Sequence, residues 1–251
     1  MSRLLYDCYA LGDSAIVIQL GTTIDPKVHE QVRQLADYLE ENRFQGFGEI
    51  VTAYTSITIY YDGYSVFKDR LNDFFLDELL PYEIVFAHVQ TAIAQYENLR
   101  ADLADEPSQS VEIPVCYGGM HGPDLQAVAD YHGMTPEDVV GLHSSQDYPV
   151  YLIGFAPGFP YLGGMDERIA TPRKSVPRQR IPIGSVGIGG SQTGIYSLET
   201  PGGWNLIGRT PIALFRPQSA NPSLLKVGDR VRFVPIKEEQ YEQFAERERR
   251  I

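Results

Sequence analysis

Residues 151–215 hold 12 of the chain's 23 glycines and 7 of its 17 prolines. Proline removes backbone donors and glycine loosens the chain, so this density excludes long helices and fits short strands joined by tight turns. Strand candidates there are Val150–Phe155, Ser185–Ile188, Thr193–Ser197, Trp204–Gly208 and Ile212–Phe215, with Arg230–Val234 after the Gly228-Asp229 turn. Many short strands at this spacing predict a closed or nearly closed β-barrel. Two short helices precede them, announced by Pro123 and Thr135-Pro136, with Gly133 closing the first.

The first hundred residues read differently. Residues 5–11 and 14–20 are β-rich runs joined by Gly12-Asp13, a hairpin signal. Asp25 then caps a helix with Val28, Val32, Leu35 and Leu39 on one face, and strand-like runs follow at 50–54 and 56–61. Helical patterns pass through Val66, Phe67, Leu71, Phe74 and Phe75 and, after Pro81, through Val85, Val89, Ile93, Tyr96 and Leu99. The order ββαββα with an extra helix predicts an α+β sandwich. Residues 102–110 (DLADEPSQS) are polar and aperiodic. The expected division is therefore an α+β domain over 1–105, a mainly β barrel domain over 106–240 and a charged tail over 241–251, the charged stretch from Glu238 reading as a frayed surface helix. A chain of 251 residues is near the size at which one core stops growing, which agrees with two domains.

Net charge is −12, and nucleic acid or an anionic membrane, both of which need Lys and Arg to neutralise phosphate, is not the expected partner. The charge is uneven: residues 106–150 carry seven acidic and no basic groups, whereas 151–215 carry six basic and three acidic ones. No charged-then-apolar leader opens the chain, no window approaches the ~18 apolar residues of a membrane span, and Cys8 and Cys116 have no metal-ligand spacing. A cytoplasmic location is expected.

Several residues are candidates for chemistry. The segment 154–164 (GFAPGFPYLGG) reads as a loop of fixed shape rather than a buried strand, because Pro157 and Pro160 remove ladder donors. Its Phe155, Phe159 and Tyr161, with Pro157 and Gly158 between them, either tuck under the loop or line a pocket. Residues 171–180 (TPRKSVPRQR) place four cations in ten positions. Arg173 and Arg178 are forks for carboxylate or phosphate and Lys174 is a point charge, unless all merely balance the acidic surroundings. The run 187–194 (GIGGSQTG) lacks the Gly-Lys-Ser/Thr ending of a phosphate loop, and leaves Ser191, Gln192 and Thr193 to hydrogen-bond a small polar ligand. Trp204, the one tryptophan, enters a strand after a turn, and tryptophan is more often core than ligand platform. His143 is the best-placed general base, with His121 behind it, although a helix C-terminal residue is an equal reading of His143. No G-x-S-x-G elbow accompanies Ser144 and Ser145, which excludes an α/β-hydrolase.

The runs YLIGFAPGFPYLGGMD and ATPRKSVPRQRIPIGSVGIGGSQTGIYSLETPGGWNLIGRTPIALF resemble, without departure, the signature of one family. It is variously called KipI, allophanate hydrolase subunit 1, the carboxyltransferase C/D family and the 5-oxoprolinase B-subunit (PxpB) family. The resemblance implies a ββαββα domain followed by a cyclophilin-like β-barrel. It also implies the B component of an ATP-dependent 5-oxoprolinase, acting with a KipA-like C component and a LamB/YcsF-like A component to open 5-oxoproline to glutamate. The alternative it carries is an inhibitor of sporulation histidine kinase autophosphorylation, with a sensor histidine kinase as partner. Stand-alone allophanate hydrolysis is disfavoured, since no amidase Ser-Lys arrangement is present. The lactam reaction calls for cations around phosphate and carboxylate. In that reading His143 and Arg178 are catalytic and Phe155, Pro157, Gly158, Phe159, Arg173, Lys174, Gln192 and Thr193 bind substrate. ATP with Mg2+ belongs to the complex, because this chain has no recognisable nucleotide motif.

Overall fold

The computed structural model describes residues 4–23, 25–70, 79–99 and 110–249. The chain divides into two compact units, Met1–Glu106 and Pro107–Ile251. In the first, β1 (Asp7–Ala10) and β2 (Ala15–Gln19) form an antiparallel hairpin, followed by α1 (Pro26–Glu41), β3 (Phe47–Thr52), β4 (Ser56–Tyr61), α2 (Gly63–Arg70) and α3 (Pro81–Leu99). The Asp25 carboxylate accepts from the amides of Lys27 and Val28, which satisfies two of the donors that α1 leaves open at its start. The sheet order is β1-β2-β4-β3. Period-two alternation turns Ile16, Ile18, Ile57, Ile59 and Tyr61 onto one face, where Val32, Leu35 and Leu39 of α1 and Val85, Val89 and Ile93 of α3 cover them. Each such aliphatic side chain, fully buried, contributes about 1.5–3 kcal/mol before the entropy of ordering is counted. Leu71, Phe74 and Phe75 of the expected helical pattern lie outside the described residues.

The second unit runs β5 (Ser110–Tyr117), α4 (Leu125–His132), α5 (Pro136–Ser144), β6 (Asp147–Ile153), β7 (Pro160–Leu162), β8 (Arg178–Ile181), β9 (Ser185–Gly189), β10 (Gln192–Ile195), β11 (Thr200–Gly202), β12 (Asn205–Arg209), β13 (Arg230–Ile236) and α6 (Glu238–Glu248). Seven of these strands close a barrel in the order β10-β7-β6-β13-β5-β12-β9, and β8 and β11 form a separate ribbon. Closure depends on β13, which lies parallel to β5 along its whole length and antiparallel to β6. Gly133, at φ 64°, ends α4, and Thr135 and Asp138 cap α5 reciprocally. Among the described residues no helix is long and apolar enough to cross a membrane.

Two expectations are corrected. The segment 154–164 is not all loop, because its second half is barrel strand β7, paired with β6 and β10. Pro160 is tolerated as the first residue of that strand, where its missing N–H costs no ladder bond, so the loop shrinks to 154–159. Ile212–Phe215 is not a strand: Phe215 makes only an isolated bridge to Ser223. The helix expected from Glu238 is present, and it is docked rather than frayed. It begins as α6 at Glu238, packs Tyr241 against the His121 ring at 4.3 Å between centroids, and closes with Glu248 accepting from Arg216 at 2.7 Å.

Candidate functional site

The loop 154–159, strand β7, the end of β11 and the turn that leads into β12 converge on a cleft of about 160 Å³ in the second unit. Its walls are Phe155, Phe159, Tyr161, Tyr196 and Trp204, and Arg173 stands at its rim. The rings meet edge to face: Phe159 lies 5.2 Å from Tyr161, 5.6 Å from Tyr196 and 5.9 Å from Trp204, measured between centroids. This geometry brings positive ring edges to negative ring faces and fixes the walls. Phe159 and Trp204 are 3% and 5% exposed, whereas Phe155 is 67% exposed. Phe155 is also the one non-glycine residue with positive φ (68°) among those described. Holding a phenylalanine there costs on the order of 1 kcal/mol or more and makes the loop tip the strained edge of the cleft. The Ser197 hydroxyl fixes the loop from below by donating to the Pro157 carbonyl at 2.7 Å.

The glycine run is explained by what lies against it. A Cβ on Gly189 would fall 2.4 Å from the Trp204 indole, and one on Gly202 would fall 2.4 Å from the Tyr196 hydroxyl oxygen. Gly194 faces Trp204 and Phe159 at 3.2 and 3.3 Å on the same measure. The glycines are therefore a floor cleared for aromatic rings, and Trp204 is both packed and a wall. Gly158, at φ 73°, would place a Cβ 2.9 Å from that of Phe215, so it lets the loop lie close to the barrel. Pro157 and Gly158 shape the cleft but are not among its lining residues.

The basic segment is pinned at three points. The Gly190 N–H donates to the Thr171 carbonyl, the Asn205 amide to the Pro172 carbonyl and the Lys174 N–H to the Gly203 carbonyl, at 2.8, 2.9 and 2.7 Å. This carries the Arg173 guanidinium to 5.9 Å from the Trp204 ring centroid, within cation–π range. Its neighbours are held elsewhere. Lys174 and Arg178 each reach one oxygen of buried Asp124 at 2.8 Å, while the Leu206 N–H donates to the other at 2.7 Å. Burial alone would raise the Asp124 pKa, but hydrogen bonds from Arg178, Lys174 and Leu206 outweigh it and hold the carboxyl below its usual range. Arg178 and Lys174, expected to meet substrate, instead neutralise a buried carboxylate, and the Nη1 of Arg178 is buried without a partner among the described residues. Arg168 pairs with Asp166, Arg180 with Glu199, and Arg209 donates to the Ile183 carbonyl. Of the six cations in 151–215, Arg173 alone has no acceptor among the described residues.

His143 is not at the cleft. Its ring is 0% exposed, inside the barrel, 4.5 Å from the Phe233 ring centroid. Thr193 donates its hydroxyl proton to the Gly187 carbonyl at 3.0 Å, so it accepts from His143 Nε2 at 2.8 Å. Nδ1 then accepts from the Tyr117 hydroxyl at 2.8 Å. Burial pushes the His143 pKa down to about 3, and both nitrogens of the neutral ring are used. His143 and Thr193 thus form a satisfied internal network, and neither lines the cleft. Gln192, half-buried at the start of β10, and His121, under α6, also lie outside the cleft lining. Sequence reasoning passed over Asp124 and Tyr196, which carry no local signal, while Trp204, weighed as core or ligand platform, is both buried and a wall of the cleft.

Residues 6–225 match the family described as carboxyltransferase domain, subdomain C and D. The chain belongs to this family. Two of its relatives are more specific in what they do. The chain is 48% identical to the 5-oxoprolinase B subunit of Bacillus subtilis (strain 168), covering 96% of this chain and 97% of that protein. It is 39% identical to the 5-oxoprolinase B subunit of Escherichia coli O157:H7, over 92% of this chain and 96% of the other. A crystallised conserved uncharacterised protein from Pyrococcus horikoshii is 41% identical, with a TM-score of 0.52, over 94% of this chain and 100% of that one. The carboxyltransferase match includes every lining residue of the cleft.

Proposed function

We propose that this chain is the B component of a heteromeric, ATP-dependent 5-oxoprolinase and contributes a substrate cleft to it. The observation that carries this is the 48% identity to a 5-oxoprolinase B subunit along nearly the full length of both chains. A lactam is stabilised by amide resonance, and activating its carbonyl with ATP supplies driving force and a leaving group. In this chain the aromatic walls would desolvate and orient the ring, and Arg173 would hold an anionic substituent at the rim. The nucleotide does not fit the same place. A cleft of about 160 Å³ is too small for it, the 187–194 run is strand and turn, and Lys174 and Arg178 are committed to Asp124. ATP and Mg2+ are therefore assigned to the LamB/YcsF-like and KipA-like partners, in the cytoplasm where ATP is made. No observation among the described residues favours the kinase-inhibitor alternative.

The test is reconstitution with the LamB/YcsF-like and KipA-like partners, ATP and 5-oxoproline, following glutamate and ADP. Both products are expected in equal amounts, and neither when this chain is left out. Absence of turnover with an intact set of partners would sink the enzyme reading.

A further inference from the structure

We infer that the aromatic cleft is a recognition site for a five-membered cyclic amide bearing a carboxylate, with Arg173 as its specificity-determining residue. This rests on the 5-oxoprolinase reading and adds to it the place and mode of binding. Three observations converge. The cleft is of single-ring size, about 160 Å³, and walled by aromatic faces and edges that suit a flat ring. One cation stands at its rim, and it is the one cation of the basic stretch that no carboxylate or carbonyl of the described residues engages. A guanidinium fork over an indole takes a carboxylate in two parallel hydrogen bonds, and the backbone bonds at Thr171, Pro172 and Lys174 keep it in position beforehand. Third, the exposed, positive-φ Phe155 sits 5.4 Å from Phe159, placed to cover a ring that enters.

The same chemistry separates substrate from product. The closed lactam carries one charge, which stays at the rim on Arg173 while the neutral ring enters the apolar interior. Glutamate carries an ammonium and a second carboxylate, and among the described residues Arg173 is the one charged side chain that lines the cleft. Burying unpaired charges is costly, so the opened product is expelled by the site that held the ring.

Trp204 is the chain's one tryptophan and forms a wall of the cleft, so its fluorescence reports occupancy directly. The full-length chain, alone and in the complex with its partners, is titrated with 5-oxo-L-proline, 2-pyrrolidinone and L-glutamate. A saturable change is expected with 5-oxo-L-proline, at least tenfold weaker binding with 2-pyrrolidinone, which lacks the carboxylate, and none with glutamate. Arg173→Ala should weaken 5-oxo-L-proline binding at least tenfold and leave 2-pyrrolidinone unaffected. In the complex it should raise KM by a similar factor with kcat changed little, and Arg180→Ala, whose partner is Glu199, should match wild type. A response seen in the complex and not in the isolated chain, and lost in Arg173→Ala, would support a cleft completed by a partner. Wild-type turnover with an unchanged KM in both Arg173→Ala and Phe155→Ala would overturn the cleft assignment while leaving the enzyme reading standing. Failure of the wild-type complex to turn over, with the Trp204 response intact and dependent on Arg173, would do the reverse.

Discussion

A histidine in a glycine-rich protein invites a catalytic role, but the surroundings of His143 assign it a structural one. Its folded-state pKa of about 3 lies below the ordinary 6.5, so at intermediate pH the unfolded chain binds a proton that the folded chain refuses. Stability from this residue is present above pH 6.5 and falls as pH drops from there towards 3, by at most about 1.4 kcal/mol per pH unit. Urea denaturation between about pH 7.5 and 5 should show this slope in wild type and a flatter one in His143→Gln. That variant, once folded, should retain kcat in the reconstituted complex within about twofold, since the ring is fully buried and does not line the cleft. A large loss of kcat in a fully folded His143→Gln would return the residue to the chemistry.

Strands β9, β10 and β11 owe their glycines to the rings laid across them, whereas a glycine in a helix has no such excuse. Gly189→Ala would push a methyl group into the Trp204 indole, and overpacking of this kind costs about 1–3 kcal/mol. The expected readouts are a lower melting temperature, a shifted tryptophan emission and a raised KM for 5-oxoproline. Gly141→Ala is the counterpart. Nothing lies within 4 Å of its Cβ position in the middle of α5, so replacement should stabilise by about 0.5–1 kcal/mol through helix propensity and unfolded-state entropy, with KM unchanged. Equal thermal shifts for the two variants would show that the glycines of β9 are not a cleared floor.

Each unit has its own core, one around Ile16, Ile59, Leu35 and Val89, the other around Ile113, Val150, Ile188 and Phe233. A fragment of residues 110–249 is therefore expected to fold alone, with cooperative unfolding and a buried Trp204. The same fragment ended at residue 229 lacks β13, the strand that joins β5 to β6, and should lose the barrel and its tryptophan signal together. Circular dichroism and fluorescence on the two fragments decide this. A native-like tryptophan spectrum in the shorter one would mean that the aromatic cleft stands without closure.

Local chemistry was enough for much of the molecule. The Asp25-Pro26 start of α1, the Gly133 end of α4, the alternation of β4, the Gly12-Asp13 hairpin and the crowding of short strands after Val150 are all written within a few residues of where they act. The family and the aromatic loop could be read the same way, because continuous motifs carry them. Distance in the chain marks where such reading stopped. Asp124 meets Arg178 across 54 positions and His143 meets Thr193 across 50. Strand parity and barrel closure put Thr193 inside the barrel, and only the folded barrel brings Asp124 to the basic segment. The sequence by itself determined that cations, glycines and aromatic rings would gather in one stretch. The tertiary structure decided which cation is left unpaired at the cleft, because neutralising a buried carboxylate comes before binding anything else.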